Sequence, residues 1–207
     1  MPPAVRADRS AGARPTRRAT AMPPAARRAA IIEAVRPLLI EHGDRLTSRQ
    51  IADAAGVAEG TIFRVFADKD ELIVAAVDAA ADPAPFEQAV AAIDRTLPLT
   101  DQLIAATELL QRRVDDVWQL VSGLSVSVRE RVSRPLAASP ALIELFTTAR
   151  ADLRVEPAVA AQMLRALTLS LTHPMVASEP VPAAAIVDVV ANGVLCEDDG
   201  PGRRSPR

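Results

Sequence analysis

Scarcity is the first feature of this 207-residue chain. It has one cysteine, Cys196, and two histidines, His42 and His173, too few for a disulfide framework or a structural zinc site. Aromatic residues make up 2%, namely Phe63, Phe66, Phe86, Phe146 and Trp118, with no tyrosine. Glycine is low at eight, and the single lysine, Lys69, stands among arginines. The longest run free of charge, Ala166 to Ser178, is too short and too broken by His173 and Pro174 to span a bilayer as a helix. No apolar stretch follows Met1, so the start does not read as a signal peptide, and the expectation is a cytoplasmic protein without metal or cofactor.

Apolar residues make up 49% of the chain, enough for a real core. Valine and isoleucine recur mostly at helical spacing, which favours an all-α fold. The net charge of −2 conceals an asymmetry: residues 1–70 carry +4 and residues 71–207 carry −6. Residues 1–28 alone hold seven arginines against Asp8. A basic end on an acidic body suits polyanion binding, although a solvated tail has the same composition.

Residues 1–23, rich in Ala, Pro and Arg without periodicity, read as a disordered arm, and 197–207 as a frayed tail. Ile31, Ala34, Val35, Leu38 and Leu39 form one stripe of a helix from Pro24 that stops at Gly43, with a bend expected at Pro37. Thr47-Ser48-Arg49-Gln50 is a capping box opening a short helix that stops at Gly56. A second short helix runs from about Ala58 to Phe66, and another opens at Asp68-Lys69-Asp70-Glu71. Further helices are expected at about 86–96, 101–122, 140–152, 157–172 and 182–195, with 134–140 as a connector. Three of these starts carry a proline, which suits a first helical turn.

Thr47 to Leu72, TSRQIADAAGVAEGTIFRVFADKDEL, meets the steric demands of a helix-turn-helix. Ala52 is small where the second helix crosses, Gly56 permits the tight turn, and Ile51, Val57, Ile62 and Phe66 plug the shared core. With IIEAV before it and KDEL opening the next helix, residues 27–80 resemble the N-terminal DNA-binding domain of the TetR family of transcriptional regulators. That resemblance implies a three-helix DNA-binding domain over 24–80 and a helical ligand-binding and dimerisation domain over 81–196.

It also implies that Ala58, Glu59, Gly60, Thr61, Phe63 and Arg64 lie on the helix that enters the major groove. Thr47 and Thr61 match positions that hold phosphates, and Lys69 matches a lysine that meets the backbone. Arg49, Gln50 and Arg64 are candidates for base or phosphate contact. Phe63 stands where the family usually has tyrosine, which removes a phosphate-bonding hydroxyl, and Val65 where it is commonly polar or histidine. The two readings are a lost DNA contact and simple helix packing, of which packing is the more frequent. Glu59 is a negative charge at the start of that helix, suited to a cytosine amino group or to the helix N-terminus.

The two last helices have broad apolar faces: Val159, Met163, Ala166, Leu167, Ser170 and Leu171 in one, and Ile186, Val187, Val190 and Val194 in the other. Faces this broad must be covered on two sides, and the TetR-family resemblance implies that the two helices form the interface of a homodimer that binds a palindromic operator. Leu110, Val114, Val117, Trp118 and Met163 are candidates to line a cavity for a small apolar effector, though such a stripe is also ordinary core. The resemblance thus implies a repressor that binds double-stranded DNA and is released by its ligand. No catalytic motif is present, and the alternative is a TetR-like fold that has lost operator binding and serves as a ligand- or protein-binding module.

Overall fold

The computed structural model describes residues 22–132 and 137–194. Cys196, the tail 197–207, residues 1–21 of the arm and the Val194 side chain lie outside the described residues. No strand occurs among the described residues, and the fold is all-α.

The first helix, α1 (Pro24–His42), has proline in its first turn and buries Ile31, Val35 and Leu39. Pro37 lies within it on an exposed face, as does Glu33, whose carbonyl loses its usual partner on the solvent side. Gly43, at φ 61° and ψ −145°, ends the helix and begins a 3-10 turn over Gly43–Arg45. Then come α2 (Ser48–Ala55), α3 (Glu59–Val65) and α4 (Lys69–Ala80).

Of the second half, α5 (Ala84–Ala91) is shorter than its periodicity suggests. The Asp94 carboxylate takes both the backbone N–H and the hydroxyl of Thr96, an alternative to helical bonding that closes the segment early. α6 (Leu99–Ser122) begins two residues before the expected Asp101, with Pro98 as its extended N-cap. α7 (Val126–Val132) is a helix where none was expected, and its only buried residue is Val128. A helix that buries so little leaves almost no periodic signal. α8 (Pro140–Thr147) gives way to a separate 3-10 turn over Arg150–Asp152 where one helix to Asp152 was expected. The Thr147 and Thr148 hydroxyls bond back to the carbonyls of Ile143 and Leu145 at that point. α9 (Pro157–Thr172) and α10 (Ala183–Val194) complete the chain.

There are two cores. One gathers Phe86, Val90, Leu103, Leu142, Leu145, Phe146, Leu164, Ile186 and Val187 from α5, α6, α8, α9 and α10. The other gathers Ile31, Leu39, Ile51, Ile62, Phe66, Leu72 and Ile73 from α1 to α4, and it also takes in Leu120, Leu124 and Val128. α6 therefore serves both: Leu103, Ala106 and Leu110 belong to the first core, and Leu120 near its end to the second.

The junction is fixed by backbone contact and by polar bonds. Gly43 lies so close to Gly123 that a Cβ added at Gly43 would stand 2.1 Å from the Gly123 carbonyl oxygen. The Asp44 carboxylate accepts the Ser125 backbone N–H at 2.8 Å, and hydrogen bonds from Ser125 hold that carboxyl below the usual carboxylate range, aided by the nearby Lys69 charge. Farther along α6, the half-buried Arg113 guanidinium donates to the carbonyls of Ala81 and Asp82 just beyond α4.

Candidate nucleic-acid interface

The crossed pair α2 and α3 is built as its residues require. The Thr47 hydroxyl accepts the Gln50 N–H at 3.2 Å, while the Gln50 side-chain oxygen accepts the Thr47 N–H at 2.8 Å. These reciprocal bonds fix the start of α2. Gly56 takes φ 64° and ψ 32°, the left-handed conformation that ends α2 and turns the chain into α3. Ala52 is buried under the crossing, and Ile62 and Phe66 anchor α3 from below.

Beyond α3, the chain is held to α1 and α4 by three groups. The Arg28 guanidinium lies 4.3 Å from the Phe66 ring centroid. Glu71 accepts the Ala67 N–H at 2.6 Å and pairs with Arg28 at 3.8 Å. Asp68 caps α4 by accepting the Glu71 N–H at 2.7 Å.

With the inner face anchored, the outer face of the pair presents Thr47, Arg49, Gln50, Ala58, Glu59, Gly60, Phe63 and Arg64 to solvent, and Thr61 is half-exposed. Three residues differ in detail from expectation. Gln50 is exposed, but its oxygen is committed to the cap, so bidentate reading of adenine requires the cap to open. Lys69 is half-buried, and its ammonium donates to the Asp44 carbonyl at 2.6 Å, tying the start of α4 to the turn after α1. Of the two positions assigned to helix packing, Val65 does pack against the core, whereas Phe63 is 52% exposed.

One residue of this surface carries no sign of its place in the sequence. Arg27 and Pro24 of α1 face Val57, Ala58, Thr61, Arg64 and Val65 across a surface cleft of about 440 Å³. Arg27 also donates to the Met22 carbonyl at 3.1 Å. The sequence groups Arg27 with the arginines of the arm, and only the packing of α1 on α2 and α3 reveals that it flanks the second of these.

Of the five residues expected to line an effector cavity, Leu110, Val114, Val117 and Trp118 share one face of α6, and Met163 of α9 is set apart from them. Leu110 is core, Val114, Val117 and Trp118 are half-buried, and Met163 is 38% exposed on the outside of α9. Trp118 packs edge-on against His173, with ring centroids 4.5 Å apart. Met163 lies nine residues before Thr172, the end of α9, which is about 13 Å along the axis. It therefore belongs to a different surface. Gln111 bonds the Thr172 hydroxyl and the Val181 carbonyl, placing a polar group next to this region that periodicity did not flag.

Residues 31–76 match the family model of bacterial regulatory proteins of the tetR family. The N-terminal unit belongs to the TetR family. The match begins within α1, takes in α2 and α3 whole, and ends within α4. No curated protein matches this chain. Among solved structures, a TetR-family protein from Mesorhizobium loti superposes with a TM-score of 0.61 at 17% identity, over 84% of this chain and 99% of that one. SmeT, the repressor of the Stenotrophomonas maltophilia multidrug efflux pump SmeDEF, superposes at 0.55 and 22%, over 86% and 97%. NalD, the secondary repressor of the MexAB-OprM multidrug efflux pump in Pseudomonas aeruginosa, gives 0.53 and 22%, over 83% and 96%. At these identities the likeness is one of fold, and it extends the TetR-family architecture through α10.

Among the described residues, no helix is long and apolar enough to cross a membrane. No group of three or more His, Cys, Asp or Glu among them is placed to hold a metal ion.

Proposed function

We propose that this TetR-family chain is a cytoplasmic, non-enzymatic repressor that binds a palindromic operator as a homodimer and is released by a small apolar effector. The observation that carries the reading is the outer face of α2 and α3. Ile62 and Phe66 are sunk in the core while Arg49, Glu59, Gly60, Phe63 and Arg64 stand free, the arrangement needed to enter a major groove. Thr47 and Thr61 flank that face and suit phosphates. Lys69 retains two N–H donors beyond the one given to Asp44, enough for a phosphate at the start of α4.

Dimerisation is supported by exposed apolar residues on the last two helices. Val159 is 45% exposed and Met163 38%, with Ala166 and Ser170 continuing the stripe, and Val189 on α10 is 58% exposed. The contact surface of α10 is this Val189 face, since Ile186, Val187 and Val190 are consumed by the chain's own core. Two-fold pairing sets half-sites about 34–36 Å apart. The effector reading rests on Val114, Val117 and Trp118, half-buried on the helix that serves both cores. SmeT and NalD, both repressors, support that mode of action.

Selection from a pool of random duplexes with the full chain, followed by footprinting, tests the proposal. An enriched inverted repeat protected by one dimer is expected. Absence of any enriched duplex favours a module that binds a ligand or a protein, a reading to which the exposed Glu59 at the head of α3 lends weight.

A further inference from the structure

Phe63 is out of place as a packing residue. Ile62 within its helix and Phe66 just past the helix end are both 1% exposed, yet Phe63 itself stands in solvent. At about 100° per residue, Phe63 falls a quarter-turn from the buried line, on the side of Glu59 and next to Arg64. Gly60 lies near the middle of the outer face, and a Cβ there would meet nothing within 4 Å, so a base edge can come close to the backbone. The polar groups available on this face are the Glu59 carboxylate, the Thr61 hydroxyl and the Arg64 guanidinium. A phenyl ring has no donor for a phosphate and no acceptor for a base amino group.

What the major groove offers such a ring is the one apolar group it carries, the C5-methyl of thymine. Resting on the DNA-binding reading above, we propose that Phe63 is a specificity-determining residue that packs on a thymine methyl group in each half-site. Glu59 and Arg64 on either side pair with cytosine N4 and with guanine O6 and N7. Each half-site then carries thymine within a base or two of the pairs these residues read. The ring is paired with the methyl by contact and desolvation alone, so discrimination depends on that single carbon.

The test uses the full chain and a duplex enriched from a random pool, prepared with uracil in place of individual thymines and titrated by fluorescence anisotropy at fixed salt. Uracil differs from thymine only by the missing methyl. The wild-type chain is expected to lose about four-fold in affinity at one thymine per half-site, the transfer value of about 0.8 kcal/mol for one such carbon. Phe63→Ala, a change at an exposed position, is expected to bind thymine and uracil duplexes alike, and Phe63→Leu to retain part of the preference. A wild-type chain indifferent to uracil overturns the proposal, as does an equal loss in Phe63→Ala, which would mean that another group or the duplex itself senses the methyl. A pool that yields no enriched duplex refutes DNA binding and this inference with it.

Discussion

Glycine-to-alanine substitution at three positions provides a graded test of how the two cores are joined. At Gly43 the added methyl carbon meets the Gly123 carbonyl oxygen at 2.1 Å, its carbon at 2.9 Å and its Cα at 3.2 Å. All three are backbone atoms that cannot rotate away. Gly43 also occupies φ 61° and ψ −145°, a region nearly reserved for glycine, which costs an alanine about 1–3 kcal/mol. Forcing the end of α1 from the end of α6 adds an overpacking penalty of about 1–3 kcal/mol. The sum, roughly 2–6 kcal/mol, is a large share of a typical stability of about 5–15 kcal/mol. At Gly56 the left-handed φ of 64° is retained but the methyl meets nothing within 4 Å, so about 1–2 kcal/mol is expected. At Gly60, in α3 with open space around it, alanine is expected to stabilise by about 0.5–1 kcal/mol. Urea unfolding of the four chains at equal concentration is expected to rank them Gly60→Ala, wild type, Gly56→Ala, Gly43→Ala. If Gly43→Ala cost no more than Gly56→Ala, the close approach of the two helix ends would not be a real constraint and the reasoning would fail.

Three further outcomes follow from other features. The lowered pKa of Asp44 means that the ionised, Ser125-bonded form contributes stability above the usual carboxylate range, and that this is lost as pH falls through the native value. The stability gap between wild type and Asp44→Asn, measured by urea unfolding, is therefore expected to shrink below about pH 4, and a gap independent of pH would contradict it. Replacing Val159 and Met163 together by glutamate places charges on the exposed stripe of α9; sedimentation is expected to show a dimer Kd raised at least about 100-fold with the helical content intact, and an unchanged dimer would move the interface elsewhere. Deleting residues 1–21, which carry Arg6, Arg9, Arg14, Arg17 and Arg18, is expected to flatten the salt dependence of operator binding by about 0.9 in slope for each phosphate the arm had neutralised, and an unaltered slope would make the arm a bystander.

What the sequence discloses is what lies within a turn or two of itself. The Thr47–Gln50 box, the left-handed Gly56 and the helix starts at Pro24, Pro140 and Pro157 are local, and all are legible. Contacts between distant segments are not. Nothing near Gly43 announces Gly123, eighty residues on, and nothing near Lys69 announces the Asp44 carbonyl. Apolar stripes show the same limit: α9 and α10 are broad-faced, but only packing separates the inner Leu164 and Ile186 from the outer Met163 and Val189. Phe63 is legible as a departure from the family pattern, and its setting emerges only in the fold.

Because Leu120, Leu124 and Val128 complete the core of α1 to α4, the groove-reading part of this molecule is not a detachable cassette. A fragment cut after Ala80 would have three vacant sockets in the core it shares with Leu39, Leu72 and Ile73, and grafting it onto a relative's sensor half would succeed only if that relative supplied three side chains of matching shape. The same borrowed residues mean that whatever drags α6 along its axis moves part of the floor under α1 and α4, so a signal needs no separate relay to arrive there.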